Sequence, residues 1–110
     1  MEKLTVGSIV LVRFPFSNLQ GNKLRPAFIL AQVEFNNLVL CQITSRPYSS
    51  TSAIAIDKAD FASGSLPVLS FVRPDKLFTA DHSIITKKLG ELKVKKKLAI
   101  LSTVRELFVV

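Results

Sequence analysis

The feature that most constrains the fold is the rhythm of the apolar residues. They come in short runs separated by Gly, Pro and Asn, and the spacing changes only once, at the C-terminal end. The run "SIVLVRF" (8–14) is rich in β-branched residues and bounded by Gly7 and Pro15, so it reads as a strand. "FSNLQGNKLRP" (16–26) carries turn chemistry and reads as a long loop. "AFILAQV" (27–33) and "LVLCQI" (38–43) form a hairpin turning at "EFNN". "SRPYSSTS" (45–52) is loop, "AIAI" (53–56) a short strand, and "LPVLSFV" (66–72) a longer one. "SIITKKLGEL" (83–92) reads as a further strand with a helical or turn entry. Val94, Leu98, Leu101, Val104 and Phe108 then recur at helical spacing and predict one apolar helix face. Several close strands and one terminal helix make a mainly β domain, a small twisted sheet or partly closed barrel with a helix packed on it.

The chain is 110 residues long, a single domain over 1–110 with no room for a second core. At this size a chain buries roughly two-thirds of its unfolded surface and needs no covalent staples. The one cysteine, Cys41, excludes an internal disulfide and sits within an apolar run, as a small buried hydrophobe does. No secretory signal opens the sequence and no run of about 18 apolar residues occurs, so the expected location is cytoplasmic, with no membrane contact. Fifteen basic residues against eight acidic ones give a net charge of +7, which suits a polyanionic partner such as nucleic acid. Lys93, Lys95, Lys96 and Lys97 crowd the predicted first turn of the helix, where the macrodipole prefers acids. They fit a solvated lysine face and equally a contact with RNA or an acidic partner.

Most catalytic signatures are absent. A single histidine, His82, allows no histidine metal cluster, and no Cys-x-x-Cys, phosphate-binding glycine loop or Asp-x-Asp group is present. No metal and no cofactor is expected. Three polar sites remain at the ends of apolar runs. Arg25 precedes Pro26, which holds it extended; it fits a strand-edge arginine and equally a fork for phosphate oxygens. Thr44 and Ser45 end the third run, with Arg46 next; such hydroxyls bond to a local turn or to a phosphate. Arg73 and Asp75 flank Pro74 in "SFVRPDKLFT". On an extended path they project from one side, which fits a structural ion pair as well as a substrate-facing couple. Two arginines, two hydroxyls and a carboxylate without metal ligands suit phosphodiester cleavage by the RNA's own 2′-hydroxyl, a reaction needing a base, cationic donors and a proton source.

These segments, "GSIVLVRFPF", "NKLRPAFIL", "ITS" and "SFVRPDKLFTADHSIITKKLGEL", resemble in order the MazF/PemK (Kid) family of type II toxin–antitoxin ribonucleases. The resemblance runs from residue 7 to about 92. It implies a small SH3-like barrel of the MazF/PemK/CcdB toxin superfamily, usually a homodimer, cutting single-stranded RNA without metal. It also implies a cognate antitoxin protein that fills the RNA groove. Carried over, Arg25 stabilises the phosphorane, Thr44 and Ser45 are the hydroxyl pair, Asp75 is the base and Arg73 the acid. Gln20, Lys23, Arg46 and Lys76 are the expected RNA contacts. The chain departs from the Kid pattern in lacking a histidine in the loop before Arg25. It also carries Phe78 where an arginine is common. In other branches Arg25 and Thr44 carry most of the catalysis. Two other functions share the scaffold: a CcdB-like gyrase poison acting by protein binding, and an inactive RNA-binding module.

Overall fold

A computed structural model describes residues 3–14, 23–47 and 50–109. Seven strands and one helix follow in order: β1 (Ser8–Phe14), β2 (Lys23–Val33), β3 (Asn37–Thr44), β4 (Ile54–Ile56), β5 (Phe61–Gly64), β6 (Ser70–Asp81), β7 (Ile85–Leu92) and α1 (Val94–Glu106). Single 3₁₀ turns at Lys58–Asp60 and His82–Ile84 lead into β5 and β7. All strands join one antiparallel sheet in the order β4-β6-β3-β2-β1-β7-β5. The sheet curls into a half-barrel, so the fold is mainly β with one C-terminal helix.

The continuous apolar runs have a simple cause: the central strands are buried on both faces. Neighbours in sequence enter different cores. Val10, Val12, Phe14, Ala27, Ile29, Leu38 and Leu40 fill the core inside the curl, while Ile9, Phe28, Cys41 and Ile43 fill the one beneath α1. A strand with one wet face would have alternated, and these do not. Gly7 takes φ +94° where the N-terminal segment meets the sheet, and a Cβ there would stand 2.5 Å from Lys97 Cδ. The glycine lets the lysine stem lie flat across the chain. Nearby, Glu91 accepts hydrogen bonds from Thr5 Oγ1, Ser8 Oγ and Lys88 Nζ, tying the start of the chain to β7.

The sequence places most elements and misplaces four. β2 begins at Lys23, so "KLRP" is strand paired with β1; the rest of the expected loop, 16–22, lies outside the described residues. β5, too short and polar to show periodicity, pairs with β7. β6 starts only at Ser70 but continues to Asp81 instead of ending at Val72, because β3 pairs with it again from Leu77 to Asp81. The helix is turned about its axis. Ile100, Leu101 and Val104 meet the core, whereas Val94 and Leu98 are 62% and 56% exposed and Phe108 lies past the helix end. The half-buried Lys97 occupies part of the stripe that periodicity alone would give to Val94 and Leu98.

Candidate functional site

Arg25 and Thr44 come together where the sheet splits. The ladder between β2 and β3 stops at Ala27↔Gln42. Beyond that point β2 follows β1, with Pro26 opposite Leu11 and Arg25 opposite Val12. β3 follows β6 instead, with Ile43 opposite Val72 and Thr44 opposite Phe71. Pro26 offers no N–H to a ladder, so it sits without loss at the parting. The gap is a cavity of about 250 Å³ with Arg25, Thr44 and Ser45 on its lining, and Leu66, Pro67 and Leu89 as apolar wall. Of the five residues expected to share one groove, Arg25, Thr44, Ser45, Arg73 and Asp75, the first three line this cavity and the last two do not.

Their chemistry differs in readiness. Arg25 is half-buried on the cavity lining and no described carboxylate pairs with it, so its guanidinium is uncommitted. Thr44 is committed to a local turn: its hydroxyl accepts from the Arg46 amide at 3.0 Å and donates to the Arg46 carbonyl at 3.3 Å. The longer bond, to the Arg46 carbonyl, is the weaker of the two. Ser45 is exposed at the lip, and Arg46 follows it into solvent. Lys23 stands exposed at the start of β2, opposite Phe14. Gln20 lies outside the described residues.

Arg73 and Asp75 are a pair of their own. Between Val72, opposite Ile43, and Leu77, opposite Cys41, four β6 residues face only Gln42. The surplus makes a bulge, and Pro74 sits buried within it, where no ladder bond is lost. Across the bulge Arg73 Nε donates to Asp75 Oδ1 at 3.1 Å and Nη2 to Oδ2 at 2.9 Å, a two-point contact. The side chains are 19% and 40% exposed. The Arg73 hydrogen bonds hold the Asp75 carboxyl below its ordinary value, helped by the Arg73 and Lys76 charges, and the same contact raises the Arg73 guanidinium. Neither residue is among those lining the Arg25 cavity. Lys76 is exposed beside the pair.

Three smaller readings find their places. Cys41 is fully buried, and desolvation, with the Asp75 charge as a lesser cause, pushes its thiol up to about 12. It is inert packing. Phe78, in the position where an arginine is common, packs on the inner core with its ring 5.0 Å from that of Phe14. His82 is half-buried in the 3₁₀ turn whose cap is Asp81, which accepts from the Ser83 amide. Among the described residues no group of three His, Cys, Asp or Glu could hold a metal ion, and no helix is long and apolar enough to cross a membrane. The sequence reading missed the segment 65–69, whose Leu66, Pro67 and Val68 wall the cavity. Its only signal was a Pro within an apolar run.

Comparison with known proteins agrees with this architecture. Residues 5–108 match the family described as PemK-like, MazF-like toxin of type II toxin–antitoxin system. A MazE–MazF complex from Deinococcus radiodurans has a TM-score of 0.70 at 18% identity, covering 93% of this chain and 92% of that one. The Mycobacterium tuberculosis toxin MazF-mt6 has a TM-score of 0.68 at 18% identity, covering 92% and 95%. An endoribonuclease from a mycobacterial species, in complex with its cognate antitoxin, has a TM-score of 0.66 at 15% identity, covering 97% and 93%. At such identities the likeness is one of fold. No curated protein matches the chain.

Proposed function

Since the chain belongs to the PemK-like, MazF-like toxins of type II toxin–antitoxin systems, we propose that it is an endoribonuclease that cuts single-stranded RNA by attack of the RNA's own 2′-hydroxyl, needing no metal. The observation that carries this reading is the cavity at the split between β2 and β3, where an uncommitted arginine and two hydroxyls meet. A scissile phosphate fits there by charge and by donor geometry.

In the reaction, a base removes the 2′-proton and the 2′-oxygen bonds to phosphorus. The P–O5′ bond breaks as the 5′-oxygen takes a proton, leaving a 2′,3′-cyclic phosphate and a free 5′-hydroxyl. Arg25 donates to the non-bridging oxygens, where negative charge grows as the phosphorane forms. Thr44 turns its hydroxyl from the Arg46 carbonyl to the same oxygens, and Ser45 supports it from the lip. Asp75 is the base and Arg73 the acid. Both must first part from each other, since a carboxylate holding two guanidinium hydrogen bonds is ionised but weakly basic. A phosphate that draws Arg73 away frees Asp75 and makes it the stronger base. DNA lacks the attacking hydroxyl and is spared.

The protein acts as a translation-blocking toxin in the cytoplasm, as a homodimer restrained by a cognate antitoxin. The exposed Val94, Leu98, Leu107, Phe108 and Val109 give such partners an apolar footing. The test is incubation of the pure protein, free of antitoxin, with single-stranded RNA in the presence of a chelator. Cyclic phosphate ends support the reading and intact RNA refutes it. A gyrase supercoiling assay run alongside separates it from a CcdB-like poison.

A further inference from the structure

One hollow shares a wall with the Arg25–Thr44 cavity, and a further one shares a residue with that hollow. The cavity's wall of Leu66, Pro67 and Val68 also borders the first hollow, of about 450 Å³, closed by Phe61 and Leu69 and rimmed by Lys58. Ala59 leads from this one into a third, of about 360 Å³, between the 58–60 turn and the start of α1, where Lys93, Lys95 and Lys96 stand. The sequence of surfaces is thus phosphate donors, then an apolar hollow, then lysines.

We propose that single-stranded RNA held at Arg25 and Thr44 continues along this track, with the lysines at the start of α1 as its phosphate anchor. The proposal rests on the reading of the Arg25 cavity as an RNA site. Charge supports it. Lys58, Lys93 and Lys95 are exposed and pair with no described carboxylate. Lys96 is the structural one, bonded to the Ala55 carbonyl at 3.2 Å and 3.7 Å from Asp60. The two acids along the track keep their charge but are tied into the turn, Asp60 with Lys96 beside it. Asp57 accepts from the Ala59 amide and Asp60 from the Asp57 amide, both at 2.9 Å. Four lysines within 93–97 and no acid in the first turn of α1 repel one another and oppose the helix dipole. A local conflict of this kind is relieved when an anion binds.

RNA suits the track better than an acidic peptide because of how it arrives. A polymer fixed at the Arg25 cavity must leave it on both sides, and its next phosphates meet the lysines as an intramolecular event. The apolar middle hollow accepts a base without reading its identity. The molecule measures 32 × 32 × 30 Å, so the track holds only a few nucleotides, at the lower end of the roughly 4–16 held by small barrel folds.

The test uses the full chain and two RNA probes: a short oligonucleotide spanning the cut, and the same extended by about six nucleotides on the 5′ or the 3′ side. A 2′-deoxy nucleotide at the cut keeps both intact during binding measurements. On one side, extension should tighten binding about tenfold at low salt. The Lys93→Gln/Lys95→Gln variant should lose that gain, lower the log–log salt slope by about 1.4, and still cut the short RNA at the wild-type rate. No gain on extension, or a gain that survives the substitutions, overturns the proposal. So does a variant that binds extended RNA normally but has lost affinity for poly-glutamate, which would assign the lysines to an acidic protein. Lysine-dependent binding without any cleavage would leave the track standing and remove the nuclease reading; cleavage without length dependence would do the reverse.

Discussion

Replacing Asp75 by Asn separates a base from a structural ion pair. The side chain keeps its size, yet the charge goes and so does one acceptor for the Arg73 fork. Two hydrogen bonds of 2.9 and 3.1 Å are disturbed, but the aspartate is 40% exposed and water screens the pair. The melting temperature should therefore fall by no more than about 5 °C. The sign with pH follows from the direction of the shift. Asp75 is lowered from its ordinary 3.8, so the pair's stabilisation is complete above that value and lost as pH falls through the lower folded value. The Asn variant should lose Asp75's share of this pH dependence and keep that of Asp81 and Glu91, which are also held low. Activity should respond on another scale: loss of a general base costs about 10²–10⁴ in rate, which a still-folded protein cannot mimic. Single-turnover cleavage of a fluorescent RNA in chelator measures this, with thermal melts on the same samples. In the wild type the acid limb of kcat/KM, which reports the free enzyme, should lie below that of kcat, because bound phosphate frees the carboxylate from Arg73. An Asn variant within about threefold of the wild-type rate would remove Asp75 from the mechanism, leaving the pair as a brace for the bulge.

Other perturbations give further checks. Phe35 and Asn36 hold φ of 60° and 61° in the two-residue turn between β2 and β3, and Phe35 is 86% exposed. Phe35→Asn, better suited to such a turn, should stabilise by about 0.5–1 kcal/mol in urea unfolding. Gly64→Ala puts a Cβ 2.1 Å from the Leu89 carbonyl oxygen at a φ of +70°; chemical denaturation should show a loss of at least about 1–2 kcal/mol. Cys41, buried with its thiol near 12, should resist a thiol reagent at pH 8 until the protein unfolds. Reaction in the native state would mean that the outer core opens.

The fold was legible wherever burial alone decided it. β1, the core of β2, β3 and the turn-then-strand entry to β7 follow from apolar runs and turn residues. β5 was hidden because four residues, three of them exposed, carry no period. The end of β6 was hidden because its outer half, "DKLFTAD", is held by pairing with β3 and is largely exposed. The helix face was misjudged because a lysine stem can serve as apolar packing, as Lys97 does over Gly7. At the candidate site, Pro26 pointed to Arg25 and the strand exit to Thr44 and Ser45, which the fold brings to one cavity. The contact between Arg73 and Asp75 was readable from their i, i+2 spacing, whereas the bulge that carries it was not. A bulge is set by the partner strand, and its one signal in β6 was Pro74, which fits an edge as well as a bulge.

The central claim is that Arg25 and Thr44 stabilise a phosphorane made by the RNA's own 2′-oxygen. The most direct measurement compares one RNA with its copy bearing a single 2′-deoxy nucleotide at the cut, in chelator, for wild type and Arg25→Ala. The account predicts cyclic phosphate ends from the RNA, no product from the deoxy copy, and a loss of about 10²–10³ in rate without Arg25. Cleavage of the deoxy copy, or full activity without Arg25, would contradict it.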